Sequence, residues 1–226
     1  VNVKAKITEI FHSLQGEGIY LGEPTTFVRL AGCNLDCVYC DTPQAKDESK
    51  AGELDETEVI DRILAITRPE EMVSFTGGEP LLWAEFIKGI APKLKEKGFR
   101  AYLETNGTLP QALAPIIDHV DIISMDIKPP SGCGKDLWNA QRDFLNIARG
   151  KAFVKMVVCD DTTKDEVEKT ARLISGIDKK IILILQPAEG HHAPDMQTVR
   201  KFQALAGGYL DHVSIIRQMH KIWNVR

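Results

Sequence analysis

Short apolar runs alternate with helical stretches along almost the whole chain, and this rhythm restricts the fold more than any other feature. Residues 4–11, 25–30, 72–75, 99–103, 120–125, 152–158, 181–185 and 213–216 alternate or are rich in β-branched and aromatic residues, and they read as strands. Between them apolar residues recur at helical spacing. Val59, Ile60, Ile63, Leu64 and Ile66 follow Asp55 and Glu58, which are spaced as a capping box. A helix over 81–97 should be kinked or broken near Pro92 and end at Gly98. Further helices are expected over 110–117, 136–148 (with Asp136 near the N-cap), 164–174 and 194–205. Strands and helices in this order mean βα units and a mostly parallel sheet. About six units plus end strands fit in 226 residues, whereas a complete eight-fold barrel takes about 250. The expected fold is α/β, an incomplete (β/α) barrel. No Pro/Ser-rich linker, internal repeat or low-complexity tract divides the chain, so residues 1–226 read as one domain.

Composition removes several function classes. Hydrophobic residues make up 43% and charged residues 27%, which excludes a disordered or collagen-like chain. Lys plus Arg total 28 against 32 Asp plus Glu, a net charge of −4, so no basic field invites nucleic acid. Apolar runs such as 181–185 fall far short of the ~20 residues that span a bilayer. Residues 1–10 alternate and carry charge early, unlike a signal peptide. A cytoplasmic protein acting on a small molecule is expected, with no nucleic acid or membrane partner.

In parallel α/β folds the working residues lie at the C-terminal ends of the strands. Here the polar and Gly-rich clusters sit at those ends: 33–42, 76–80, 104–107, 126–130, and from Gln186 onward. Five cysteines cannot form a complete set of internal disulfides. Cys33, Cys37 and Cys40 form a C-x3-C-x2-C loop, while Cys133 and Cys159 are isolated and read as plain thiols. Structural zinc usually takes four ligands, often from two paired knuckles, and no second knuckle exists. Three cysteines suit a 4Fe-4S cluster with one iron open to a small molecule. A zinc site completed by His12, in a non-catalytic binding module, is the competing reading.

The cysteine loop after a strand, Tyr39 within it, Thr76-Gly77-Gly78-Glu79-Pro80 and Glu104-Thr105-Asn106-Gly107 together resemble the radical S-adenosylmethionine (SAM) enzymes. That resemblance implies a 4Fe-4S cluster on Cys33, Cys37 and Cys40 whose open iron binds SAM, and a 5′-deoxyadenosyl radical made from it. It places Tyr39, Cys40, Asp41, Gly78, Glu104, Asp126, Ile127, Lys128 and Gln186 around SAM. Close approach of SAM to bare backbone explains the glycines. A glycyl-radical activase would share this cluster loop.

Additional motifs narrow the family. Leu14-Gln15-Gly16-Glu17-Gly18, the run from Phe27 to Cys33, Cys40-Asp41-Thr42 and the tail from Gln218 to Arg226 resemble the 7-carboxy-7-deazaguanine synthases over nearly the whole chain. The resemblance implies a homodimer, Mg²⁺, and conversion of 6-carboxy-5,6,7,8-tetrahydropterin to 7-carboxy-7-deazaguanine with loss of ammonia. Leu14, Gln15, Gly16, Glu17, Arg29, Thr76, His220 and the terminal carboxylate of Arg226 would contact substrate, with Arg29 matching its carboxylate as a two-pronged donor. Thr42 would bind Mg²⁺. No side chain is expected to act as a catalytic acid or base.

Taken singly, the same residues have plainer readings. Glu17 between glycines reads first as a turn residue, and Arg29 could pair with a neighbouring acid. Thr42 could cap a turn, His220 could lie on the surface, and His191-His192 reads as a loop. Residues 44–53 carry five charges and read as a solvated surface loop, with a docking patch for a flavodoxin-type reductant as the alternative.

Overall fold

The computed structural model describes residues 3–225. In chain order the elements are β1 (Lys4–Leu14), β2 (Pro24–Leu30), β3 (Gly52–Asp55), α1 (Glu56–Ile66), β4 (Met72–Gly77) and α2 (Ala84–Glu96). Next come β5 (Arg100–Thr105), α3 (Pro110–Leu113), β6 (Ile122–Ile127), α4 (Pro130–Cys133), α5 (Trp138–Ala148) and β7 (Ala152–Val158). The chain continues with α6 (Lys164–Ser175), β8 (Leu183–Pro187), α7 (Met196–Ala206), β9 (Val213–Ile215) and α8 (Met219–Trp223).

One sheet holds all these strands in the order β3-β1-β2-β4-β5-β6-β7-β8-β9. From β2 to β9 every neighbouring pair is parallel, while β1 runs antiparallel to both β2 and β3. The order ends at β3 and β9, so the sheet is an incomplete barrel, as expected.

Local chemistry sets the helix starts. Asp55 and Glu58 exchange backbone-to-carboxylate bonds of 3.0 and 2.9 Å, the expected capping box. Thr163 and Glu166 form a second box at α6. α2 runs unbroken through Pro92, because the buried face made by Phe86, Ile87, Ile90, Ala91 and Leu94 holds it against the sheet. Residues 44–53 are more ordered than a solvated loop: two 3₁₀ turns and β3 occupy them, and Ala45 is fully buried.

Strand alternation divides the chemistry. Val73, Phe75, Leu103, Ile123, Met125, Ile127, Val154, Met156 and Leu185 point to the helices and form the main core. The other face looks into the barrel. Met72, Tyr102, Ile122, Phe153 and Ile184 close its floor as a separate apolar cluster. Two residues further along each strand the same face turns polar, with Ser74, Glu104, Ser124, Lys155 and Gln186. A small apolar base therefore carries a polar chamber at the C-terminal strand ends.

Asp55→Ala should lower stability by about 1 kcal/mol through loss of the α1 cap. A shifted denaturant midpoint with unchanged slope is the expected result.

Candidate active site

The strand ends open onto a cavity of about 690 Å³. Its wall includes Cys33, Cys37, Cys40, Arg29, Thr76, Gly78, Glu104, Asp126, Lys128, Lys155, Gln186 and His220. Residues far apart in sequence are thus gathered by the sheet order, the cysteine loop and the C-terminal tail.

The cysteine loop is pinned at several points. Gly78 N–H donates to the Leu30 carbonyl (3.2 Å), Glu79 N–H to Gly32 (2.8 Å), and Gly32 N–H to Ala45 (2.8 Å). A Cβ at Gly78 would lie 2.0 Å from the Gly32 oxygen, so only glycine permits this contact. Asn34 reaches the end of β5, donating to Thr108 Oγ1 and accepting from Asn106 (both 2.8 Å). Val38 N–H donates to the Gly132 carbonyl of α4 (3.0 Å), and Gly132 leaves room for the Tyr39 ring. Lys128, ion-paired with Asp126 at 2.8 Å, lies 5.2 Å from the centre of that ring.

Glu79 is fully buried and accepts from Leu81 N–H, Thr105 Oγ1 and Asn106 N–H at 2.7–3.0 Å. Burial outweighs these donors and pushes its carboxyl up to about 7. Burial also raises the Cys33 thiol, and the Cys37 thiol to about 11. Thiolates here therefore call for a bound cation to offset the buried charge.

Deeper along β5, Glu104 accepts from Gln15 Nε2 (2.9 Å), Ser74 Oγ (3.1 Å) and Thr76 Oγ1 (2.9 Å). Gln15 Oε1 accepts from Glu17 N–H (3.1 Å). The side chain of Gln15 is thus spent on holding Glu104 and Glu17. Glu17 is ion-paired with Lys155, and its Oε1 accepts from Gln218 Nε2 (3.0 Å) beside His220 Nδ1 (4.0 Å). Burial alone would raise this carboxyl, but the Lys155 ammonium, with Gln218 and His220, brings it down to about 2. Arg29 Nε donates to Glu9 (2.7 Å), and its guanidinium lies over Phe11 while also lining the cavity. Arg29 thus combines the plain acid pairing with the site position. Glu17, Asp41 and His220 place ligand-type atoms within 4.8 Å of one another, and Gln218 Nε2 bonds both carboxylates. Leu14, Gly16, Asp41 and Thr42 also line the cavity, as do His191 and His192.

Not every expected residue reaches the site. Ile127 is fully buried in the helix-facing core and does not line the cavity, because strand alternation turns it away from its neighbours Asp126 and Lys128. His12, the candidate fourth zinc ligand, bonds Glu71 at 2.9 Å and is absent from the cavity wall. Arg226 lies outside the described residues. Sequence reasoning missed Lys155, Gln218 and the buried Glu79. A lysine inside the apolar run AFVKMVV was the available signal for the first; Glu79 and Gln218 stand within quoted motifs, but nothing local showed which contacts they make.

A sequence model of the family described as the Radical SAM superfamily matches residues 27–174. The 7-carboxy-7-deazaguanine synthase of Geobacter sulfurreducens is 39% identical, over 96% of this chain and 96% of that protein. The one from Methanothermobacter thermautotrophicus is 36% identical over 99% of both. Among solved structures, the crystal structure of QueE from Escherichia coli superposes with a TM-score of 0.66 at 22% identity, covering 96% of this chain and 95% of that one. The likeness at this low identity concerns the fold. The chain belongs to the 7-carboxy-7-deazaguanine synthase family of radical SAM enzymes.

That family carries a 4Fe-4S cluster on three cysteines and uses SAM and Mg²⁺. The residues present fit these groups. Three cysteines share one pinned loop at the cavity wall, and the Tyr39 Oη, Asp126 Oδ1 and Gln186 Oε1 atoms beside it are buried without a partner. Buried polar atoms of this kind call for a polar ligand.

Gly78→Ala should force the Cys33 segment away from β4, and iron incorporation on reconstitution should fall well below wild type. Glu79 supplies a pH test in cluster-free protein. Its folded carboxyl titrates near 7 against an ordinary 4.5, so wild type should lose stability relative to Glu79→Gln as pH rises from 4.5 to 7. Paired thermal melts across that range measure the slope.

Proposed function

We propose that this chain is a carbon–nitrogen lyase that converts 6-carboxy-5,6,7,8-tetrahydropterin to 7-carboxy-7-deazaguanine, releasing ammonia, in 7-deazapurine biosynthesis. The observation that carries the reading is one cavity lined both by a three-cysteine loop and by Arg29, Thr76, Glu17 and His220. The likeness in name and sequence to the synthases of Geobacter and Methanothermobacter supports the substrate class.

Cys33, Cys37 and Cys40 hold the cluster. Tyr39, Cys40, Asp41, Gly78, Glu104, Asp126, Lys128 and Gln186 surround SAM. The partnerless Asp126 and Gln186 atoms and the bare Gly77-Gly78 backbone support that placement. The cluster and SAM supply hydrogen-atom abstraction when bound. The protein's part is to hold the pterin C6 at the reacting position and to keep water out.

Arg29 offers its guanidinium to the substrate carboxylate, and Thr42 contributes a hydroxyl to Mg²⁺. Glu17 accepts the N–H donors of the pterin's guanidine-like edge. Leu14, Gly16, Thr76 and His220 complete the walls, and Glu104 and Gln15 brace Thr76 and Glu17 from behind. Ring contraction expels the amine without a dedicated protein acid or base.

The enzyme works as one cytoplasmic domain in a homodimer and takes electrons from a flavodoxin-type donor. Among the described residues, no helix is long and apolar enough to cross a membrane.

Reduced, reconstituted enzyme with SAM, Mg²⁺ and the carboxytetrahydropterin should form carboxydeazaguanine, detected by mass spectrometry. Absence of product with an intact cluster would sink the assignment. Cys37→Ala should remove the iron–sulfur absorbance and all turnover.

A further inference from the structure

Lys155 lies midway along β7, on the face that looks into the barrel, and is only 5% exposed. Phe153 lies below it on the apolar floor, and Val157 above it on the cavity wall. A lone ammonium in such a place is costly, and its removal from water must be offset by opposite charge. Glu17 supplies that charge directly. Asp126 is its register partner on β6, and Glu104 adds a third carboxylate to the surrounding field.

Glu17 is 138 residues away, in the turn between β1 and β2. Contacts to its backbone and to both carboxylate oxygens decide how Glu17 stands. Lys155 takes Oε2, and the Gln15 side chain, itself anchored to Glu104, takes the Glu17 backbone N–H. Oε1 is left for the cavity side, where the –NH₂ of Gln218 donates to it at 3.0 Å and His220 approaches. An amide –NH₂ resting on Oε1 shows that this oxygen is placed to receive an amino-type donor.

We propose that Lys155 is a positioning residue, which locks Glu17 Oε2 to the barrel wall so that Oε1 meets the amino edge of the pterin. The inference rests on the reading that Glu17 receives the pterin. It assigns selection of an amino-bearing heterocycle to a pair of residues, one of them buried in the sheet. Without Lys155 the carboxylate loses its anchor and swings toward Gln218 and His220.

The test uses holoenzyme with SAM and no reductant, titrated with the fluorescent oxidised ligand 6-carboxypterin. Lys155→Met should weaken pterin binding about tenfold or more, while cluster absorbance and SAM affinity stay at wild-type values. Lys155→Arg should regain most of the loss. Lys155→Met combined with Glu17→Gln should bind within about twofold of Glu17→Gln alone, since the lysine acts through the carboxylate. In turnover, Lys155→Met should raise KM much more than it lowers kcat.

Unchanged pterin affinity in Lys155→Met would overturn the inference. So would a double variant whose loss equals the product of the two single losses. Loss of the cluster and of SAM binding in both Lys155→Met and the double variant would show a purely structural lysine and would overturn it equally. Wild-type holoenzyme that neither binds nor converts the pterin would overturn the functional reading, and this inference with it.

Discussion

The buried carboxylate of Glu79 holds the upper rim of the barrel together. Its own N–H bonds the Gly32 carbonyl at the root of the cysteine loop, and its side chain takes the N–H of Asn106 and the hydroxyl of Thr105 at the end of β5. The ends of three neighbouring strands, β2, β4 and β5, are thereby fixed to one group. Asn106 in turn holds Asn34, inside the cysteine loop. A loop of about ten residues with few apolar anchors would otherwise be free to wander. The arrangement places an acid near the first thiol of the loop, where its negative charge raises Cys33 further. Stability of the rim and charge near the iron site are thus linked through the same residue.

A second level of organisation comes from strand alternation. Each parallel strand gives one face to the helices and one to the barrel interior, so a one-residue register slip would exchange core for chamber. The contrast between Asp126 and Ile127 makes this concrete. They are adjacent in a strand-end motif, yet one lines the cavity and the other is packed in the core.

Much of this architecture is legible in the sequence. The strands over 25–30 and 152–158, and the capping box of Asp55 with Glu58, are local patterns with local causes. The cysteine loop, TGGEP and ETNG mark strand ends because functional backbone there needs glycine and polar side chains. What is hidden depends on distant contacts. β3 is four residues with little apolar character and forms because β1 presents an edge to it. α4 and α8 are too short to show a helical period. Glu17 looks like a turn residue until Lys155 is brought beside it by the fold. Gln218 opens the tail motif, but its contacts are not legible there; they arise because the tail returns to the N-terminal turn, where Met219 N–H bonds the Gly16 carbonyl.

The apolar floor has a consequence for the rigidity of the chamber above it. Tyr102 and Phe153 are almost completely buried, and Tyr20 packs on both rings, edge-on to Tyr102 at 5.9 Å. Side chains held this tightly do not rotate aside, so the layer above them has a fixed support. Gly18 lies against Phe153 with no room for a Cβ, so the turn that carries Glu17 rests on the same plug. The floor itself does not line the cavity; it underlies the polar layer of Glu104, Ser124, Lys155 and Gln186 that does. A rigid base of this kind fixes the height of that layer and of the turn beside it, so the polar groups keep their spacing when the chamber fills.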